Sequence, residues 1–124
     1  MTSGARARRI GDRMVEELAE ILQRETADPR LVGLTVTGVD VDRELAYATV
    51  YVSSASGAKR AAEILTVLRQ ARGFLRSELA RRIPLRTFPD LRFRWDASTE
   101  RGARIEEILQ ALKADQGGRS GKRK

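Results

Sequence analysis

The stretch Ile64–Arg94, ILTVLRQARGFLRSELARRIPLRTFPDLRFR, decides the fold. Ile64, Leu68, Ala71, Leu75 and Leu79 recur at the 3.6-residue period of a helix that buries one face. Ala71-Arg72-Gly73 sits in the middle of that pattern. Glycine in a helix interior costs roughly 1 kcal/mol against alanine. The spacing therefore predicts a helix from about Ala58 to Arg82, interrupted near Gly73 by a kink or break. Pro84 and Pro89 bracket a non-helical segment after it. Asp90–Asp96 then reads as a strand, with Leu91, Phe93 and Trp95 inward and Arg92 and Arg94 outward.

Working outward, Arg6 to about Arg24 is an amphipathic helix on Ile10, Met14, Leu18, Ile21 and Leu22. Gly11 weakens its start, and Asp12 is a candidate second N-cap. Asp28-Pro29 closes the segment. Leu34–Val41 reads as a strand whose apolar phase slips at Gly38, as a β-bulge requires. Asp42-Arg43 is a turn, and Leu45–Ser53 returns as a second strand with Ala46, Ala48, Val50 and Val52 on one face. A serine of the loop 53–57 is a candidate cap for the next helix. Ser98 caps a last helix with Ile105, Ile108, Leu109 and Leu112 as its buried stripe. The order helix–strand–strand–helix–helix–strand–helix implies an α+β two-layer sandwich, a small three-stranded mixed sheet with helices on one face. Residues 1–5 and the glycine-rich basic tail 114–124 read as disordered ends of one domain spanning 6–113.

Composition narrows the function. The 124 residues carry 24 Lys and Arg against 17 Asp and Glu, a net charge of +7. Cysteine and histidine are absent, which removes thiolate metal sites, disulfides and the commonest general base together. No apolar run approaches the ~20 residues of a membrane span, and no signal core follows the basic N-terminus; a cytoplasmic location is the expectation. The charge is segregated. Residues 59–94 hold ten basic and three acidic side chains, whereas residues 14–58 hold three basic and eight acidic ones. Such clustering points to nucleic acid, against the plainer reading that the charge only keeps the chain in solution.

Candidate contacts follow from the clustering. Arg69, Arg72 and Arg76 lie three and four apart near the kink, and Arg81, Arg82 and Arg86 follow. An arginine fork holds a phosphate in two bonds and stacks on an unpaired base; the alternative is a solvated face with pairs such as Arg82 to Glu78. Lys59 and Arg60 extend the cluster, and Arg92 and Arg94 either widen it or only solvate their strand. Gly73 serves either the approach of backbone amides to a phosphate or close helix–sheet packing. Tyr47, Tyr51, Phe74, Phe88 and Trp95 are stacking candidates, with Trp95, like Phe93, assigned first to the core. Arg6, Arg8, Arg9 and Arg13 at one end, and Arg119, Lys122, Arg123 and Lys124 at the other, add accessory charge. The competing class is an enzyme. Asp40 and Asp42 share a strand face and are a candidate divalent-ion pair, but Asp42 suits the turn better and no third ligand presents itself. No catalytic group, cofactor or metal is assigned.

The element order resembles the type II K-homology fold, which marks the turn between its paired helices with a Gly-x-x-Gly loop. Here Ala71-Arg72-Gly73 stands at that place. With Asp28-Pro29-Arg30-Leu31, Val36-Thr37-Gly38-Val39-Asp40-Val41, Asp42-Arg43-Glu44-Leu45-Ala46-Tyr47-Ala48 and Pro89-Asp90-Leu91-Arg92-Phe93, it resembles the ribosome-binding factor A family over about residues 5–112. The resemblance implies a non-enzymatic assembly factor that binds the free small (30S) ribosomal subunit and its 16S rRNA. It also implies help in late maturation and 5′-end processing, support of growth in the cold, a monomer, and no membrane or small-molecule partner. The family's Ala-x-Gly kink falls on Ala71 and Gly73. The alternative is a general nucleic-acid-coating protein acting through charge alone.

Overall fold

A computed structural model describes residues 2–24, 28–98, 109, 111 and 112. Its elements are α1 (Gly4–Arg24), a 3-10 turn (Pro29–Leu31), β1 (Leu34–Val41), β2 (Tyr47–Ser54), a 3-10 turn (Ala58–Arg60), α2 (Ala61–Gln70), α3 (Arg72–Arg82) and β3 (Asp90–Trp95). The strands form one mixed sheet in the order β1-β2-β3, with β1 antiparallel and β3 parallel to β2.

α1 starts at Gly4, two residues before the expected Arg6, because Ser3 caps it: the Ser3 hydroxyl accepts the backbone N–H of Arg6 at 3.1 Å. Asp12 is therefore not a cap; the helix runs through it. Gly11 has a positive purpose. A Cβ there would lie 2.5 Å from the carbonyl oxygen of Val39, so its absence lets α1 lie against β1. Ala7, Ile10, Met14, Leu18 and Ile21 form the buried stripe.

The register between β1 and β2 shifts between Val36 and Gly38, leaving Thr37 as the extra residue. The bulge keeps Val36, and then Val39 and Val41, on the sheet side that also carries Ala48, Val50 and Val52. In the turn, Asp42 Oδ1 accepts the backbone N–H groups of Ala46 at 2.7 Å and Tyr47 at 3.3 Å. That turn puts Leu45 at φ 59° and leaves Ala46 exposed, so β2 begins at Tyr47 rather than at Leu45. No serine caps the following helix; Gly57, at φ 82°, precedes the 3-10 turn without a side-chain bond.

The helix pair is broken at Ala71, whose ψ of 3° departs from helical geometry by more than 40°. α2 packs on β3, and α3 packs chiefly on α1. One bend thus gives each half its own partner while Ile64, Leu68, Leu75 and Leu79 stay in one core with Leu91 and Phe93. Phe88 and Pro89 are buried where the chain re-enters the sheet.

The C-terminal helix falls largely outside the described residues, as do Ile105, Ile108 and the basic tail. Leu109 and Leu112 are described and are exposed, at 54% and 52%, not buried as the stripe predicts. Ser98 donates its N–H and hydroxyl to Asp96 Oδ1, so Asp96, two residues earlier, does the capping expected of Ser98.

Candidate nucleic-acid interface

β3 is an edge strand, and its outward residues are Asp90, Arg92 and Arg94. Charged side chains on such an edge discourage pairing with another chain. Here they also meet a second set. Leu65, Arg69 and Arg72, from α2 and the kink, face Arg92, Phe93, Arg94 and Trp95 across a groove of about 500 Å³. Four guanidinium groups from two distant stretches therefore converge. The bend at Ala71 makes this possible, because Arg72 opens α3 at the place where α2 leaves the edge of β3.

The groove, and not the lack of ion pairs, singles out these four, since the exposed Arg6, Arg8, Arg9, Lys59 and Arg86 make no ion pair among the described residues either. Among the described residues, Arg69, Arg72, Arg92 and Arg94 form no ion pair; the bridges present are made by Arg13, Arg30, Arg60, Arg76, Arg81 and Arg82. Unpaired guanidinium groups keep their donors for a ligand, and arginine stays charged at any physiological pH. Arg92 Cζ lies over the Tyr47 ring, 3.5 Å from its centroid, a cation–π contact that holds the guanidinium beside the groove.

The other candidates serve the fold. Arg76 donates to the carbonyl oxygens of Phe88 at 2.6 Å and Pro89 at 3.2 Å, and approaches Asp90 at 3.5 Å. It ties α3 to the entry of β3 and does not share the groove with Arg69 and Arg72, although the spacing put all three on one side. Arg82, one-fifth exposed, bridges Glu17 at 3.2 Å and Glu20 at 2.9 Å, clamping α3 to α1. Arg13 joins that clamp through Glu17 and the Arg82 carbonyl. Arg81 pairs with Glu78, and Arg60 with Glu63. Lys59, Arg86, Arg6, Arg8 and Arg9 are exposed and lie outside the groove's lining.

Two carboxyls record this division. Arg13 and then Arg82 hold Glu17 below its ordinary value of 4.5. Asp28 is held at about 2, against an ordinary 3.8, chiefly by the Arg30 side chain and then by the Arg30 backbone N–H. Both belong to the scaffold.

Gly73 lies in the first turn of α3, and a Cβ built on it meets nothing within 4 Å. Close packing is therefore not its purpose. Phe74 beside it is exposed at 46%. Phe88 is buried and no longer a stacking candidate, while Trp95, half-buried, lines the groove. A second cavity of about 550 Å³, between the end of α1 and the start of β1, includes Leu22, Leu31, Val32 and Leu34 but, among the described residues, no basic side chain. Asp42 spends its carboxylate on the turn, as its place in the hairpin suggested.

The family model for ribosome-binding factor A matches residues 6–109. The chain belongs to the ribosome-binding factor A family. Among curated relatives, ribosome-binding factor A of Chromohalobacter salexigens is 46% identical over 112 residues, covering 89% of this chain and 86% of that one. That of Pseudomonas syringae pv. syringae is 40% identical over 115 residues, covering 91% and 83%. The crystal structure of ribosome-binding factor A from Thermus thermophilus matches at a TM-score of 0.64 and 31% identity, over 71% of this chain and 93% of that one. A homology model of the Thermus thermophilus factor, fitted into a cryo-EM map of a 30S complex, matches at 0.59 and 32%, over 70% and 91%. The fold shared with these ribosome-binding factors is the expected α+β, K-homology type II-like sandwich.

Proposed function

We propose that this chain binds the free small ribosomal subunit through its 16S rRNA during late assembly, as a cytoplasmic monomer with no chemistry of its own. One observation carries the reading: four arginines without acidic partners among the described residues, Arg69, Arg72, Arg92 and Arg94, line one groove at the bend of the helix pair. Phosphate contacts of this kind supply most of the affinity and steepen its salt dependence, by about 0.7 in the log–log slope for each phosphate neutralised on a single strand. Gly73, with open space in front of it, lets a phosphate approach the first turn of α3, where backbone N–H groups and the helix dipole favour an anion. The fitted 30S complex of the Thermus factor supports the choice of the small subunit. Holding a local RNA conformation until maturation is complete accounts for help in 5′-end processing. It also accounts for a greater need in the cold, where wrongly paired RNA escapes slowly.

Co-sedimentation at moderate salt tests this. The chain is expected with free small subunits and not with joined ribosomes, and Arg69→Ala/Arg72→Ala is expected to abolish the association. Binding to any duplex, lost uniformly as salt rises, would instead identify a protein that coats nucleic acid by charge alone. Cells lacking the chain are expected to accumulate small-subunit RNA with an unprocessed 5′ end and to grow poorly in the cold.

A further inference from the structure

Among the described residues, all three helices pack on one side of the sheet, and the other side stays exposed or half-buried except at Ser53, near the end of β2. That outer face is not uniform. The parallel register sets Thr49 beside Arg92 and Tyr51 beside Arg94; the antiparallel register sets Asp40 beside Thr49 and Gly38 beside Tyr51. Positive charge therefore follows Asp90 along β3 at Arg92 and Arg94, two tyrosine rings stand on the central strand, Tyr47 beside Asp90, and a further carboxylate stands on the far strand. Gly38 brings no side chain against Tyr51, and a Cβ there would meet nothing within 4 Å. The Tyr47 ring is 40% exposed and already carries the Arg92 guanidinium at stacking distance.

We propose that this open face is a stacking platform for unpaired RNA bases, continuous with the groove through the two arginines that line both. The inference rests on the groove's taking RNA. The strand's phosphates follow Arg94 and Arg92 along β3, away from Asp40, and its bases turn inward onto Tyr51 and onto the Tyr47–Arg92 pair. Charge sets that orientation, because Asp40 repels a backbone on the β1 side and Asp90 repels one at the start of β3, which leaves Arg92 and Arg94 as the place for phosphates. Tyr47 and Tyr51 are four residues apart, about 13 Å along a strand. This is room for the two or three bases that sheet platforms stack elsewhere. A single strand is required, since a duplex hides its base faces. A protein partner is disfavoured because the face lacks an aliphatic cluster to form the dry centre of an interface. Arg92 is held over the Tyr47 ring before binding, so less side-chain entropy is lost when a base or phosphate arrives.

The test uses the full chain and a fluorescein-labelled, unpaired RNA of about ten nucleotides, within the site sizes known for such surfaces, beside a duplex of equal length. Stacking predicts that Tyr47→Leu/Tyr51→Leu weakens single-strand binding by about tenfold or more. The salt slope and the duplex affinity should stay unchanged. Tyr47→Phe/Tyr51→Phe, which keeps the rings, should bind within about twofold of the parent. If the Leu variant binds like the parent while Arg69→Ala/Arg72→Ala does not, the platform is wrong and the groove stands. If neither variant weakens binding, both readings fall. Equal losses in the Phe and Leu variants would place the effect in the hydroxyls and overturn stacking. Should the Leu variant not melt cooperatively, the unaltered chain decides: photocrosslinks from 4-thiouridine RNA must include residues 47–54. Crosslinks confined to the kink would reject the platform.

Discussion

The two halves of the broken helix carry the same side chain to opposite ends. Around the bend, Arg69 and Arg72 have no acidic partner among the described residues and face the two arginines of β3. Further along α3, Arg76, Arg81 and Arg82 are engaged with carbonyls and carboxylates of the protein itself. Charge counting treats all five alike. Arg81 pairs with Glu78 on its own helix; what separates the other four is which element each meets across the bend. α3 runs back over α1, whose polar face offers Glu17 and Glu20, while α2 runs beside an edge strand whose outward positions after Asp90 are arginine. A guanidinium beside a carboxylate becomes a strut. A guanidinium beside another guanidinium stays available, and the cost of crowding like charges is recovered when a polyanion arrives.

That contrast can be broken by substitution. The largest effect is expected from Arg69→Ala/Arg72→Ala. Two lost charge-assisted contacts lower affinity for small-subunit RNA by about a hundredfold. The melting temperature should stay unchanged; a matching fall would make these two residues struts as well. Next is Gly11→Ala, which drives a Cβ into the Val39 carbonyl and costs about 1–3 kcal/mol by denaturant unfolding, with RNA affinity kept. Arg82→Ala should lower the melting temperature by roughly 5 °C while leaving RNA binding within about twofold. A loss of affinity with no change in melting would move Arg82 into the interface. Gly73→Ala is the complement of the change at position 11. It meets no neighbour, so stability is kept or rises by about 0.5–1 kcal/mol; weaker RNA binding would then isolate the backbone approach. The smallest effect is one of pH. Glu17 is held below 4.5, so its contribution is complete above that value and fades as pH falls through the lowered one. The stability gap between the parent and Glu17→Gln should close on acidification over that range. A gap that persists at pH 2 would mean the carboxylate's charge is not what Arg13 and Arg82 read.

Much of the architecture was legible because it rests on local periodicity. The slip of apolar phase at Gly38 gave the bulge, alternation in 91–95 gave the facing of β3, and a glycine inside a helical stripe marked the broken pair. The bend itself sits at Ala71, two residues before that glycine. The start of α1, the start of β2 and the exposure of Leu109 depart from the pattern. At the first two, a cap and a turn override it. The site was half legible. Spacing placed Arg69, Arg72 and Arg76 together, but a helix that bends between them, and the free carbonyls of Phe88 and Pro89, took Arg76 away. The one available hint was Pro89 itself: a chain entering a sheet at a proline leaves carbonyls to be satisfied.

Short-range pattern in the chain was enough for the element order, the faces they bury, the place of the interruption and the sign of the surface around it, because helix and strand periods are written into neighbouring residues. Which arginines remain open to RNA was settled only in three dimensions. An ion pair depends on the side chain that folding brings opposite, and residues as far apart as Glu17 and Arg82, or Arg69 and Arg94, carry no mark in the chain of whether they will meet.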